Sequence, residues 1–477
     1  MWITIYYIFC YLVFGYTMLL MLSYLYLVFM SRQSQKHINV NIPDDETIKY
    51  FLQGSPLTPA VSIIAPAFNE EVTILDNVNS LMQIDYPNFE IIIVNDASTD
   101  RTMELLINEY KLVEVPYDIA MKVQSKPIKR VLKSTDPKYS KLVVVDKEHG
   151  GKKADGSNAG INVCSNKYFV CTDVDCIIEP MALYRMMWLV VNSHRPMIGV
   201  GATMLMSNGC IVEDGRVVEA AVPSTLIPMF QQMEYLRSFL ISKLGWSGIN
   251  ALPNISGGFG LFDTDVAVKS GGYDPTSMAE DVDMMLRMVT YMKNTGQDFR
   301  LAQVPQVCCW TEGPNTIKTL CRQRIRWARG LFEIISNHRK MFFNPHYGPI
   351  GAFVLPYIFI FEFIAPVLEM TGFLFMIWLI FTGGVNWDSA ILLFGMIYIF
   401  SVFMAIFVIF CDYSTKAVNW KNTKISYLKL LLVTLLEPFI YHPLITYCSN
   451  LGYWQFISNQ TSVWKPIQRR GVKKKKS

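Results

Sequence analysis

The chain has 477 residues, of which 51% are hydrophobic, 13% aromatic and only 17% charged, and its 43 basic and 39 acidic side chains give a net charge of +4. This composition excludes an intrinsically disordered chain, a collagen and a coiled coil. A mean hydropathy of +0.26 indicates that part of the chain lies in a membrane. We therefore expect a membrane protein that carries a water-soluble domain.

The N-terminal segment is predicted to be a transmembrane helix over residues 1–31, because it has no charged side chain and exceeds the ~20 residues that a bilayer core requires. Arg32 and Lys36 follow it, so the next domain is expected in the cytoplasm. A cleaved signal peptide is the alternative, but here the basic residues follow the apolar run. Residues 32–59 are predicted to form a linker at the membrane surface.

Short apolar, β-branched runs alternate with helical patterns from residue 60 onward. This alternation predicts an α/β domain over residues 60–345 with a mostly parallel sheet, whose ligands bind at the carboxyl ends of the strands. The expected strands are residues 61–65, 90–94, 142–145, 168–172 and 198–203.

Three further apolar stretches predict a C-terminal transmembrane region over residues 346–450, followed by a basic tail over residues 451–477. The lysine-rich loop before the third stretch is expected on the cytoplasmic side. The basic tail also favours the cytoplasm, although a third full crossing would place it outside. Either the third stretch, interrupted by prolines, is re-entrant, or the chain turns back after it. The three stretches are residues 350–381, 389–411 and 426–447.

Acidic residues follow two of the expected strands. Asp173 and Asp175 come directly after residues 168–172, and such a pair suits a divalent cation shared with substrate phosphates. Asp96 similarly closes the strand at residues 90–94. Each motif alone is more typical of a turn or a helix cap, but both are expected at the same edge of one sheet.

Three other segments combine residue types that can bind or react with a phosphorylated ligand. Residues 150–160 form a glycine-rich loop with two lysines, which suits a diphosphate. Glu280 and Asp281 begin a helical pattern, either as dipole partners or as a general base. Residues 323–327 hold two arginines, which suit phosphate, and a tryptophan, which can stack on a sugar ring. The same residue types are also typical of a helix at the membrane interface.

Taken together, residues 61–70, Asp96, residues 173–175, 279–281 and 323–327 resemble the D, D, D, Q-x-x-R-W signature of processive family 2 glycosyltransferases. That family includes the cellulose, chitin, hyaluronan and poly-N-acetylglucosamine synthases. The resemblance implies a cytosolic GT-A domain flanked by transmembrane helices. It also implies an inverting transfer from a UDP-sugar to a growing β-linked polysaccharide.

The resemblance assigns roles to individual residues. It implies Asp281 as the general base beside Glu280, although Ala279 replaces the usual threonine of the motif. It implies Asp173 and Asp175 as ligands of Mg²⁺ or Mn²⁺. The implied nucleotide contacts are Pro66, Phe68, Asn69, Glu70, Asp96, Lys153 and Asp173. The implied diphosphate and acceptor contacts are Gln323, Arg324, Arg326, Trp327 and Gly258.

The membrane region and the tail fit the same interpretation. The polar residues of the apolar stretches either line a path for the polymer or serve helix packing; they are Glu362, Glu369, Glu437 and His442. The tail either closes over UDP or binds anionic lipid, through Trp464, Arg469 and Arg470. The lipid bilayer and an accessory secretion subunit are expected partners, in a plasma or inner membrane.

Two alternatives are weighed. A non-processive transferase would move one sugar onto polyprenyl phosphate or another lipid, but such relatives generally lack Q-x-x-R-W. A catalytically silent scaffold is disfavoured by the intact acidic motifs. Nucleic acid is not an expected partner, because acidic residues dilute the basic stretch at residues 122–141. The donor sugar is left open between UDP-N-acetylglucosamine, UDP-glucose and an alternating pair.

Overall fold

The computed structural model of the chain describes residues 2–41, 43–55, 58–174, 176–415, 418–459 and 473–474. The strands are β1 Val61–Ala67, β2 Phe89–Asn95, β3 Leu112–Val115, β4 Ile128–Ser134, β5 Leu142–Lys147, β6 Tyr168–Thr172, β7 Ile177–Ile178, β8 Met197–Met206, β9 Ile211–Glu213, β10 Arg216–Glu219, β11 Phe259–Asp263, β12 Arg300–Thr311 and β13 Lys473–Lys474.

The helices of the first 345 residues are α1 Trp2–Asn41, α2 Asp45–Gln53, α3 Ile74–Met82, α4 Thr102–Tyr110, α5 Lys153–Val163, α6 Ala182–Val191, α7 Leu226–Arg237, α8 Leu244–Gly248, α9 Thr264–Lys269, α10 Glu280–Asn294 and α11 Ile317–Asn337. The helices that follow are α12 Leu355–Ile358, α13 Ala365–Thr382, α14 Trp387–Thr415 and α15 Thr423–Ile457. Three π-helical segments connect helices, at Ser238–Lys243, Ile350–Val354 and Phe359–Phe363.

Ten strands form one mixed sheet in the order β3-β4-β5-β2-β1-β6-β11-β8-β12-β7. The strands β3, β5, β2, β1, β6, β8 and β12 run in one direction, and β4, β11 and β7 run in the other. The predicted α/β fold with a mostly parallel sheet is therefore confirmed. All five expected strands are present.

The central strands are mostly apolar because both faces of the sheet are covered. Ile63 and Ile64 are fully buried neighbours in β1, yet they belong to hydrophobic clusters on opposite faces. Alternate side chains of a strand point to opposite faces, so a doubly covered strand needs apolar residues at every position. The carboxyl ends of β1, β2, β5 and β6 consequently meet at one edge.

Four helical segments are long and apolar enough to cross a membrane: Tyr11–Lys36, Ile350–Thr382, Trp387–Thr415 and Thr423–Ile457. Helix α1 continues past the predicted end at residue 31, since its next turns pack on the α/β domain. There, the hydroxyl of Ser31 donates to the carbonyl of Leu240 at 2.5 Å. The predicted limits of the domains stay a prediction.

Helix α15 passes unbroken through Pro438 and Pro443, so the expected interruption of the third apolar stretch is wrong. Its first turn lies by the β9–β10 hairpin, where the amide of Lys421 donates to the carbonyl of Ala220. Its last turns pack on α11 at Gly452. Both ends of α15 thus contact the α/β domain, and the side of the membrane on which the tail lies stays a prediction.

The close packing of α15 on α11 can be tested at Gly452. A side chain there would start 2.8 Å from the carbonyl oxygen of Ile325 and 2.7 Å from the Cβ of Ala328. We expect Gly452→Leu to destabilise the protein by about 1–3 kcal/mol, because the backbones must separate. The control is Gly372→Leu in α13, where the added Cβ meets nothing within 4 Å. Equal thermal midpoints of the two detergent-solubilised variants would contradict the packing.

Candidate functional site

The candidate site lies at the edge where the central parallel strands end. Asp96 follows β2, Lys147 ends β5 and Asp173 follows β6. The side-chain amide of Asn95 donates to Asp146 Oδ1 at 2.9 Å, which ties the ends of β2 and β5 together. The strand topology therefore brings the two predicted acidic motifs to one edge, as expected.

Asp96 is buried and its charge is balanced within the protein. The fully buried ammonium of Lys147 lies 2.5 Å from Asp96 Oδ1 and 2.5 Å from Asp155 Oδ2. The amide of Gly150 also donates to Asp96 Oδ1 at 2.8 Å, and His149 Nδ1 lies 3.2 Å from Oδ2. Asp96 is thus held rigidly against the glycine-rich loop.

The loop at residues 66–70 is fixed to the loop that follows β2. Asn69 has a left-handed backbone (φ 56°), and its side-chain oxygen accepts from the amide of Thr99 at 2.7 Å. The amide of Glu70 donates to Thr102 Oγ1 at 2.9 Å. The Phe68 ring lies 4.7 Å from the His149 ring, centroid to centroid. An aromatic surface beside a buried aspartate can hold a planar base.

Pro66 is contacted from the other side by α5. A Cβ added at Gly156 would lie 3.0 Å from the Cβ of Pro66, so the absence of a side chain there permits the close approach. The predicted glycine-rich loop is wrong for residues 153–160, which lie in α5, so only residues 150–152 form a loop before the helix. The packing of Gly156 on Pro66 places the first turn of α5, with Lys153, near the end of β6.

Lys153 connects the end of β6 to the loop before β11. Its ammonium lies 2.5 Å from Asp173 Oδ1 and donates to the carbonyl of Gly257 at 2.5 Å. Burial opposes the charge, but the carboxylate of Asp173 outweighs it and raises the pKa of Lys153. The backbone amide of Asp173 donates to the carbonyl of Gly258 at 3.3 Å. Gly258 therefore lies beside Asp173, and its predicted contact with the acceptor stays a prediction.

The described acidic residues at this edge provide part of a binding site for a divalent cation. The side chain of Asp173 is 41% exposed and offers the hard oxygen ligands that Mg²⁺ accepts. Asp175, its predicted companion, lies outside the described residues. Within the described part of the chain, no three His, Cys, Asp or Glu side chains gather at one point. The described residues therefore suit a cation that a phosphate-bearing ligand helps to hold.

Asp281 lies in the first turn of α10, directly against the same loop. Its Oδ2 accepts from the amide of Gly257 at 3.0 Å, and its Oδ1 accepts from the amide of Val282 at 2.9 Å. Burial and the charge of Asp281 raise the pKa of the neighbouring Glu280, whereas Lys153 and Arg326 oppose that shift. The Gly257 peptide thus contacts Asp281 through its N–H and Lys153 through its carbonyl.

Helix α11 brings the predicted pentapeptide next to α10. Gly330 allows this approach, since its added Cβ would lie 3.0 Å from the Cβ of Ala279. Glu333 Oε2 accepts from the amide of Met278 at 3.1 Å. Arg326 and Trp327 are exposed on α11. The electrostatic effect of Arg326 on Glu280 indicates that the guanidinium lies near the acidic turn.

The other two members of the pentapeptide are less accessible. Gln323 is half-buried. Arg324 is buried, and its guanidinium forms an ion pair with Glu234 at 2.5 Å. The structure therefore places Arg324 in the packing between helices, and its contact with a ligand stays a prediction.

The polar residues of the apolar helices are mostly paired within the protein. Glu437 lies 2.7 Å from Arg237, and Glu369 lies 3.1 Å from His442. These pairs support the helix-packing alternative for three of the four predicted lining residues, whereas Glu362 is exposed. The predicted tail residues Trp464, Arg469 and Arg470 lie outside the described residues.

Sequence reasoning missed three residues of the site. Lys147 extends the predicted strand at residues 142–145, but a strand pattern does not reveal that a lysine is buried between two carboxylates. His149 lies beside Phe68 only because of the sheet order. Lys243 ends a π-helix with its ammonium 4.5 Å from the Phe239 ring centroid, and burial lowers its pKa to about 8 while Asp281 opposes the shift. The sequence signal that could have identified Lys243 is the presence of a lysine inside an apolar segment.

The buried cation at Lys147 yields a prediction. Lys147→Met leaves Asp96 and Asp155 facing each other without a counter-charge, so we expect a loss of about 3–5 kcal/mol in stability. The control is Lys269→Met, which removes an exposed ion pair with Asp265 and is expected to cost less than about 1 kcal/mol. Thermal unfolding of both variants checks this, and equal shifts would contradict the role given to Lys147.

Several known proteins are similar to this chain. The curated relatives include the poly-β-1,6-N-acetyl-D-glucosamine synthase of Staphylococcus epidermidis, 27% identical over 275 residues, which are 58% of this chain and 55% of that protein. The enzyme of the same name from Staphylococcus aureus (strain COL) is 26% identical over 276 residues. The chain spans about half the length of these relatives. A mannosyltransferase from Pyrobaculum calidifontis, solved with GDP-Man and Mn²⁺, covers 91% of this chain and 100% of its own, with 15% identity and a TM-score of 0.47.

Two family models match the chain. The model described as Glycosyl transferase family group 2 matches residues 238–457. The model described as Glycosyltransferase like family 2 matches residues 59–330, which is more than half of the chain and includes the strands and helices that form the candidate site. The chain therefore belongs to glycosyltransferase family 2, and its α/β domain is the GT-A domain of that family.

Proposed function

We propose that the protein is a membrane-embedded, inverting glycosyltransferase that extends a β-linked polysaccharide from a UDP-sugar and acts together with secretion. The observation that carries this proposal is the position of Asp281, held 3.0 Å from the Gly257 amide. The carbonyl oxygen of Gly257 accepts from Lys153, and Lys153 pairs with Asp173. A carboxylate is thereby fixed beside a cationic and acidic edge suited to a diphosphate.

The nucleotide is proposed to bind where the strands end. Phe68 offers an aromatic face for the uracil, and the rigidly held Asp96 offers a fixed polar partner. Pro66, Asn69 and Glu70 form the loop that closes this side. Because hydrogen bonds to the neighbouring loop preset its shape, little conformational entropy is lost on binding.

The diphosphate is proposed to lie between Asp173 and α11. Asp173, with Asp175, would hold Mg²⁺ or Mn²⁺, and such an ion supplies charge stabilisation to a leaving phosphate. Lys153 and Arg326 place two further positive charges at this position, next to Gln323. Developing negative charge on the β-phosphate is stabilised by groups that are already oriented, which is an effective form of catalysis.

The acceptor is proposed to lie over Gly258, with its terminal sugar against the exposed ring of Trp327. The carboxylate of Asp281 takes the proton of the acceptor hydroxyl, and the freed oxygen attacks the anomeric carbon opposite to the diphosphate. One displacement inverts the configuration, so an α-linked donor gives a β-linked product. Glu280 lies next to this base in the chain, and its pKa is raised by burial and by the negative charge of Asp281.

The polysaccharide product and the location are proposed on two further grounds. The curated relatives that match 58% of the chain are named as polysaccharide synthases, and four apolar helices adjoin the α/β domain. A cytoplasmic catalytic domain agrees with Arg32 and Lys36 directly after the first apolar run. UDP-N-acetylglucosamine and UDP-glucose are the donors to test first.

The proposed base is tested by Asp281→Asn. The variant keeps the size of the side chain and an acceptor oxygen for the Gly257 amide, but it cannot take the proton. We expect transfer to fall by about 10²–10⁴-fold, while binding of UDP stays within a few-fold. Transfer is measured on membranes with labelled UDP-sugar and Mg²⁺ or Mn²⁺.

The matched control is Asp265→Asn, an exposed residue of α9 that pairs with Lys269. This variant is expected to keep wild-type transfer. Full transfer by Asp281→Asn, or a product with retained α configuration, would exclude the proposed mechanism.

A further inference from the structure

Three helices meet at one ionic cluster, which we call the α11 lock and which consists of the buried Arg324 and Tyr441 and the half-buried Glu234. Both terminal nitrogens of Arg324 donate to Glu234, at 2.5 Å to Oε1 and 2.7 Å to Oε2. Arg324 also donates to the Tyr441 hydroxyl at 2.9 Å, and that hydroxyl donates to Glu234 Oε2 at 2.5 Å. The lock thus joins α7, α11 and α15.

The geometry of the lock fixes the Arg324 guanidinium in one orientation. A planar fork that meets a carboxylate with two parallel bonds cannot rotate without losing one of them. The Tyr441 ring is itself stacked on Phe230, with centroids 5.1 Å apart and planes 21° apart. Arg324 is therefore held from two sides by residues of other helices.

Trp327 lies on the fixed guanidinium. The central carbon of Arg324 is 4.4 Å from the centroid of the Trp327 ring, one helical turn away on α11. Trp327 is still 38% exposed. One part of the ring is therefore covered by an immobile cation through a cation–π contact, while the rest faces outward.

Packing of the three helices does not by itself require an ion pair in the lock. Burial opposes the charge of Arg324, and the carboxylate of Glu234 outweighs it and raises the pKa of that guanidinium. Apolar side chains of similar volume commonly stabilise such an interior as well as an ion pair does. A buried fork with a bound tyrosine is thus better explained by the orientation that it imposes.

We propose that Glu234 and Tyr441 are positioning residues that act through Arg324 to orient Trp327 for the acceptor sugar. The inference rests on the proposed function, because it takes Trp327 as the platform for the acceptor. Since Tyr441 belongs to an apolar helix, the lock connects the membrane region to the acceptor side of the site. Within the described residues, the lock makes no contact with the strand ends, where the nucleotide is proposed to bind, so we expect it to affect the acceptor more than the donor.

The chain offers a matched control. Arg237 and Glu437 form a second ion pair between the same helices α7 and α15, with 2.7 Å between Arg237 Nη2 and Glu437 Oε2. In the part of the chain that the structure describes, this pair makes no hydrogen bond to α11. Glu437→Gln therefore disturbs the contact between α7 and α15 without touching the support of Trp327.

The experiment compares Tyr441→Phe, Glu234→Gln and Glu437→Gln in the full chain, in membranes supplied with UDP-N-acetylglucosamine or UDP-glucose. We expect Tyr441→Phe and Glu234→Gln to lower transfer to the polymer at least tenfold and to shorten the product. The KM for the donor and its hydrolysis by water should change clearly less than transfer to the polymer. Glu437→Gln, which keeps every hydrogen bond of the lock, should lower transfer less than either variant, and Glu234→Asp should restore part of the transfer.

A second measurement is independent of activity. Deuterium uptake of the backbone amides in α11 should rise in Tyr441→Phe and Glu234→Gln and stay unchanged in Glu437→Gln. Equal losses of transfer and donor hydrolysis, or the same effect in Glu437→Gln, would show a merely structural role and overturn the inference. If wild type transfers no sugar from any UDP-sugar supplied singly or in pairs, the proposed function fails, whereas unchanged uptake in α11 overturns the lock itself.

Discussion

The peptide group of Gly257 is the point on which the rest of the site depends. Its N–H donates to Asp281 and its carbonyl accepts from Lys153, which in turn pairs with Asp173. The first turn of α10 and the end of β6 come from distant parts of the chain, and this loop joins them. A proton acceptor and a phosphate-binding edge are useful to each other only at such a fixed distance.

The structure keeps this arrangement in place with buried ionic contacts on two sides. On the nucleotide side, Lys147 neutralises Asp96 and Asp155, and it fixes the glycine-rich loop to the strand ends. On the acceptor side, Arg324 joins α11 to Glu234. Buried charges are costly unless they are paired, so each contact tolerates little displacement of its partner. The two arginines of the pentapeptide therefore differ in their surroundings, because Arg324 is buried in packing and Arg326 is exposed.

The sequence predicted the fold class, the order of the central strands along the chain and the edge at which the acidic motifs meet. These follow from local apolar patterning and from the rule that ligands bind at strand ends. It did not predict that Lys147 is buried, because the pairing depends on which strands are neighbours. It also treated Pro438 and Pro443 as breaks, whereas α15 continues through them with support from neighbouring helices. Asp175 and the tail at residues 464–470 lie outside the described residues, so their roles stay predictions.

The most direct test of the account is the size of the product that wild-type membranes make from each labelled UDP-sugar, supplied singly and in pairs with Mg²⁺ or Mn²⁺. The account predicts a long, water-compatible or insoluble polymer from a single donor, or from one pair if the sugars alternate. A short product that partitions into organic solvent would contradict it and would favour transfer of one sugar to a lipid acceptor.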